Sequence, residues 1–209
     1  MPHQQFLQNK FKEVARFIQP TNSKFKILDI GCNNGNIRNF LPKNIEYFGV
    51  DIDNEFIHQL QQKGIKAKQA DLNKQELPFQ FERFNYILIL DLLEHVVNPR
   101  QLLIQARQKL NPNGKLIITL PNDYHILNRL RFLFNKPITN DPFAPFGHLH
   151  YFPVKVGEQF LKNNQFKILK KCYLSSNNPE SIPKSIKDFL SKLSPQLFVR
   201  DVLYLLEMF

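Results

Sequence analysis

Apolar positions along this chain switch between a helical and an extended rhythm. Phe6, Leu7, Phe11, Val14, Ala15, Phe17 and Ile18 recur at near-helical spacing and predict an amphipathic helix over 3–18, ended by Pro20 and Asn22. Residues 25–30 are a compact apolar run that predicts a buried strand, followed by Gly31. A short helix is expected over 35–41, stopped by Pro42, then a strand over 46–50 and a helix over 54–63 closed by Gly64. Residues 65–70 read as a third strand ending at Asp71. The unbroken run 84–90 reads as a central strand buried on both faces, with Asp91 at its end.

Asn98-Pro99 opens a helix to Leu110, because proline suits a first helical turn. Residues 111–114 are a turn, 115–120 a fifth strand broken by Pro121-Asn122, and 123–134 a further helix. The segment 135–152, with Pro137, Pro142 and Pro145, shows no period and is long for a plain connection, so a lid or substrate loop is expected there. A helix over 153–163, a strand over 166–174, a loop over 175–183 and a helix marked by Ile186, Phe189, Leu190 and Leu193 follow. Residues 197–206 read as a last strand, with a helix as the alternative. Strands alternating with helices predict an α/β fold: a doubly wound, mostly parallel, seven-stranded sheet with helices on both faces and an antiparallel last strand.

The chemistry gathers where strands end. Asp29-Ile-Gly31-Cys32-Asn33-Asn34-Gly35 joins the first strand to the next helix, and Asp51 closes the second strand twenty residues after Gly31. Strand, glycine turn, helix and acid form a Rossmann-like nucleotide layout. Asn33 and Asn36 stand where a dinucleotide fingerprint needs glycine, and there is no Walker lysine. A nucleoside ligand without phosphates suits such a turn. Asp51, Asp71 and Asp91 end successive strands, the edge where open α/β sheets bind ligands. They suit ribose hydroxyls, an adenine amine and a sulfonium.

These segments together resemble the class I S-adenosylmethionine-dependent methyltransferases. The likeness runs in order through Ile27–Gly35, Phe48–Asp53, Ala70–Leu72, Phe84–Val97 with its Glu94-His95 pair, and Leu110–Asn122. It implies S-adenosyl-L-methionine as cofactor. Asp29, Gly31, Cys32, Asn33 and Gly35 would line the methionine part, with Leu90 packed near it. Asp51 and Ile52 would hold ribose and adenine, and Asp71 and Leu72 would flank adenine. Pro121–Phe134 and Gly147–Phe152 are similar to the narrower methyltransferase type 11 group related to the methionine-biosynthesis protein W. The expected organisation is one domain over 1–209: an N-terminal helix in 1–22, a cofactor-binding half in 23–125 and a substrate-side half in 126–209.

Charge separates the halves. Residues 1–100 carry a net +2, and residues 101–209 a net +8. The basic surplus suits an anionic acceptor, nucleic acid or membrane surface. Against nucleic acid, Leu90-Asp-Leu-Leu93 lacks the Asn/Asp-Pro-Pro-aromatic motif of base-amine methylases and the Pro-Cys of cytosine-carbon methylases. The expected acceptor is therefore a small molecule, saccharide or lipid-linked intermediate, methylated by direct displacement. An RNA methyltransferase and a non-catalytic binding protein are the alternatives. Catalytic residues are not fixed by the sequence: His95, Tyr124, His125 and His148 are candidates for the acceptor side. His148 and His150 lack a nearby third ligand in sequence, so no metal is expected. Peripheral membrane contact is weighed for the helix near 182–193, where Lys184, Lys187 and Lys192 accompany Phe189. Met1-Pro-His-Gln-Gln lacks signal-peptide blocks, no apolar run approaches a membrane span, and two cysteines make no disulfide framework, so the cytoplasm is expected.

Overall fold

A computed structural model of the chain describes residues 2–19, 23–137, 147–174 and 184–209. Its centre is a seven-stranded sheet in the order β3-β2-β1-β4-β5-β7-β6. The strands are β1 (Phe25–Ile30), β2 (Ile45–Asp51), β3 (Lys66–Gln69), β4 (Phe84–Ile89), β5 (Leu110–Pro121), β6 (Phe166–Leu174) and β7 (Asp201–Met208). The first five are parallel, while β7 runs antiparallel between β5 and β6. The helices are α1 (Pro2–Phe17), α2 (Asn54–Gln62), α3 (Pro99–Lys109), α4 (Ile126–Leu133), α5 (Val154–Asn163), α6 (Lys184–Leu193) and α7 (Pro195–Phe198). The expected doubly wound sheet with an antiparallel last strand is the observed one.

Two cores sandwich the sheet because successive strand residues face opposite ways. On one face Leu28, Ile30, Phe48, Val50, Ile87 and Ile89 pack with Leu102, Leu103 and Ala106 of α3 and Val154 and Leu161 of α5. On the other, Ile27, Tyr47, Leu88 and Ile117 pack with Val14 and Ile18 at the C-terminal end of the first helix region. Each fully buried aliphatic or aromatic side chain contributes about 1.5–3 kcal/mol relative to exposure. The order reverses between β1 and β4, which opens a crevice at their carboxyl ends.

Several boundaries differ from the expected ones. The short helix after Gly35 is a 3-10 turn, Asn36–Phe40. β5 begins at Leu110 instead of 115, because Leu110 pairs with Phe84 before the register shifts ahead of Tyr86. Asn122 and His125 close a turn (His125 N–H to the Asn122 carbonyl, 3.3 Å), so α4 starts at Ile126. The last strand starts four residues late. Pro195 opens the one-turn α7 through Phe198, and Val199 and Arg200 precede β7. The helix end at Pro20 and Asn22, residues 138–146 of the 135–152 loop, and the 175–183 loop lie outside the described residues.

Candidate functional site

The glycine turn is built by backbone bonds to the neighbouring strand. The Gly31 and Cys32 N–H groups both donate to the Val50 carbonyl, at 2.8 and 3.0 Å. The chain then reverses through positive φ at Gly31 (75°), Asn33 (50°) and Gly35 (70°). Asparagine tolerates this left-handed region better than most residues. The side-chain oxygen of Asn33 also accepts the Asn34 N–H at 2.9 Å. A Cβ on Gly35 would stand 2.7 Å from Leu60 Cδ2, so this position requires glycine on two counts.

Asp51 pins the turn from β2. One carboxylate oxygen accepts the Asn33 N–H at 2.7 Å and the other accepts the Asp53 N–H at 3.0 Å. A carboxylate has about four lone-pair sites, so both oxygens keep capacity for two further donors. Asp29 lies on β1 opposite Gly49, buried, with the Tyr47 hydroxyl donating to it at 2.5 Å. Burial pushes its carboxyl up to about 7, against the Tyr47 hydrogen bond. Burial also pushes the Cys32 thiol well up, which leaves it inert as a nucleophile.

A cleft of about 610 Å³ opens over this turn. Asp29, Gly31, Cys32, Asn33 and Leu90 line it, as do Asp91, Ile37 and Phe40. The opposite wall is α1, through Gln4, Leu7, Gln8, Lys10 and Phe11. The other predicted cofactor contacts lie along the adjoining strand ends, outside this lining. Gly35 holds the turn, and Ile52 exposes 55% of its surface beyond Asp51. Asp71 spends one oxygen on its own turn, accepting the Asn73 N–H at 3.0 Å, and pairs with Lys74. Those partners hold its carboxyl below the usual range. Leu72 packs on the core.

Asp91 lines the cleft with its carboxylate already engaged. Its carboxylate is taken by the Lys10 ammonium and by the Thr119 hydroxyl, which donates at 2.6 Å. Thr119 in turn accepts the Asp91 N–H at 2.7 Å. Lys10 is 3% exposed, so α1 is latched over the cleft by an ion pair at its base. The sequence held a signal for this: Lys10 falls on the apolar face between Leu7 and Val14.

A second group of polar residues stands just past β4. Glu94 is 2% exposed, and its Oε2 has no hydrogen-bond partner among the described residues. Burial and the nearby Asp91 push its carboxyl up to about 8. Its carbonyl accepts the Leu149 N–H at 2.7 Å, which draws in the 147–150 segment. That docking brings the His95 and His148 rings to 5.0 Å, edge to face. His95 donates from Nδ1 to the Gly147 carbonyl (3.2 Å), and burial lowers its pKa. His148 donates from Nδ1 to both oxygens of Asp123 (3.1 and 3.0 Å), which raises its pKa.

His148 and His150, two apart in sequence, have separate hydrogen-bond partners. His150 donates from Nε2 to the Val96 carbonyl at 3.0 Å, while Glu94 is the neighbour that His95 and His148 share. Tyr124 and His125 make no hydrogen bond or ring contact with this group among the described residues. Tyr124 is 45% exposed. Burial and the facing Arg200 hold His125 down at about 4. Sequence reasoning also passed over Asp201, which stands at the sheet edge opposite Pro121 and Leu174. Burial pushes its carboxyl up to about 6.

The chain is similar to known proteins in sequence and in fold. A family model described as a methyltransferase domain matches residues 1–171. A ubiquinone biosynthesis O-methyltransferase of Azorhizobium caulinodans is 31% identical over 117 residues, 54% of this chain and 46% of the relative. A tRNA U34 carboxymethyltransferase of Campylobacter curvus is 29% identical over 100 residues, 44% of this chain and 33% of the relative. The chain spans about half the length of the curated relatives it matches. A SAM-dependent methyltransferase structure from Thermotoga maritima has a TM-score of 0.69 at 15% identity, covering 97% of this chain and 89% of that one. That likeness is one of fold.

Proposed function

We propose, for a chain that belongs to the methyltransferase domain family, that it is an S-adenosylmethionine-dependent methyltransferase. In this reading the acceptor is a small molecule, saccharide or lipid-linked intermediate, methylated by direct displacement. The observation that carries the reading is the cleft at the β1–β4 switch point, floored by the glycine turn and a buried acid. The cofactor, when bound, supplies a methyl group on an electrophilic sulfonium.

The chain's own residues supply binding, orientation and exclusion of water. Asp29 would hold the methionine ammonium, and Gly31, Cys32, Asn33 and Gly35 let that end approach the backbone. Asp51 would accept the ribose hydroxyls with its remaining lone pairs. Ile52 offers an exposed apolar surface to adenine, between Asp51 and the Asp71-Leu72 pair. Leu7 and Phe11 of α1 shield the cleft from solvent. Leu90 packs at its inner end, and His95 and His148 stand on the acceptor side. Positioning of this kind can provide much of the acceleration of a displacement.

A second reading is RNA methylation. The tRNA-modifying relative and the basic second half favour it, so the motif argument against nucleic acid carries less weight. Location is proposed as cytoplasmic, on the two free cysteines. No helix among the described residues is long and apolar enough to cross a membrane.

Transfer of labelled methyl separates the readings. The purified chain would be incubated with methyl-labelled cofactor and either phenolic and saccharide acceptors or bulk tRNA. Label in the small acceptors supports the main proposal. Label confined to tRNA replaces it with the second, and tight cofactor binding without transfer to either leaves a binding protein.

A further inference from the structure

Glu94, His95 and His148 each offer one ligand atom, and these atoms lie within 4.8 Å of one another. We propose that they form a binding site for one divalent first-row transition cation of the zinc type. The hydrogen bonds around the two rings point to this. Each Nδ1–H is committed to an oxygen, His95 to the Gly147 carbonyl and His148 to the Asp123 carboxylate. In the neutral ring this leaves Nε2 as the lone-pair nitrogen in both cases. Metal-ligating histidines are oriented in this way, with a carbonyl or carboxylate behind the ring.

Glu94 supplies an independent observation. Its Oε2 is buried and has no hydrogen-bond partner among the described residues. A buried carboxylate oxygen without a donor is costly, and a cation satisfies it. Packing alone accounts for the edge-to-face rings but leaves that oxygen orphaned. The Glu94–His95 separation of 4.0 Å is too long for a hydrogen bond.

Around an ion at about 2.1 Å, the ligand atoms would draw together to about 3–3.5 Å. Side-chain rotation at three residues can supply that movement. Two imidazoles and a carboxylate suit zinc, manganese or ferrous iron, whereas magnesium and calcium demand oxygen donors. Three protein ligands leave a coordination position open. The site lies on the cleft's side of the sheet edge, three residues beyond cleft-lining Asp91.

The test is metal uptake by the full chain, stripped with chelator and dialysed against zinc, manganese or magnesium chloride. The expected result is one zinc per chain at micromolar free metal, with no stoichiometric magnesium. His95→Ala/His148→Ala should abolish that equivalent, and Asp123→Asn should weaken it by about 10–100-fold. X-ray absorption at the zinc edge of the unaltered protein gives a second check that needs no variant. It should show nitrogen and oxygen ligands, including imidazole. Absence of stoichiometric zinc, uptake unchanged in the double variant, or a sulfur-containing shell would each overturn the proposal. Cofactor binding measured without metal is a separate quantity, so failure here leaves the methyltransferase reading untouched.

Discussion

Replacing Asp51 by alanine is the perturbation whose size the structure sets most closely. The carboxylate holds two backbone N–H groups and keeps lone pairs for a ribose diol. Hydrogen bonds to a charged acceptor contribute about 1.5–3 kcal/mol each. Two are lost, and because Asp51 is only partly buried, water compensates for some of the loss. The lower end, about 3 kcal/mol, corresponds to roughly 150-fold in Kd. Asp51→Asn keeps one acceptor oxygen and should lose about 10-fold. Both are read by calorimetry with S-adenosylmethionine or its demethylated product. The Asn33 and Asp53 N–H groups released by truncation lie at exposed bonds and can bond to water, so folding should change little. Thermal melting of the ligand-free variants checks that. An Asp51→Ala affinity within threefold of the parent would refute the assignment, as would a loss fully explained by unfolding.

Three other outcomes follow from the same geometry. Lys10→Met removes the cation that latches α1 to Asp91, whose side chain is 38% exposed and can resolvate. The cost should be about 1–2 kcal/mol, below the usual figure for a fully buried pair, with faster hydrogen exchange along α1. Asp29 titrates near 3.8 unfolded and about 7 folded, so the native state binds the extra proton between those values. Its stabilising contribution is full below pH 3.8 and is lost as pH rises through 7. Asp29→Asn should therefore flatten the decline in ligand-free stability between about pH 4 and 7, by up to roughly 4 kcal/mol in urea titrations. Gly35→Ala places a Cβ 2.7 Å from buried Leu60 at φ 70° and should cost about 2 kcal/mol, measured by the same titrations.

Much of the fold was legible because the central strands are near-continuous apolar runs. Residues 84–90 could be little else, and the glycine turn after β1 marks the strand–helix corner by its own backbone needs. The last strand was harder. Leu197-Phe-Val is as apolar as the true strand, but Pro195 is placed to start a helix and the sheet pairing begins only at Asp201. The glycine turn was legible where a residue's structural part is local, as with Gly35, whose positive φ the turn needs. Asp91 shows the limit. In the sequence it follows an apolar run just as Asp51 does, yet by strand register it stands one residue further on, and a lysine 81 positions earlier claims its carboxylate. Glu94 likewise reads as a polar residue after a strand until the 147–150 segment closes over it. Spacing marks Lys10 as facing inward, but it does not display which distant acid such a residue meets.

The central claim is that the cleft over the glycine turn binds S-adenosylmethionine, and calorimetry on the unaltered chain tests it most directly. Saturable binding of one cofactor per chain, lost in a form with Asp29 and Asp51 both replaced by alanine that still melts cooperatively, is the predicted result. No binding of the cofactor or its demethylated product by folded protein would contradict the account, as would full affinity in that double variant.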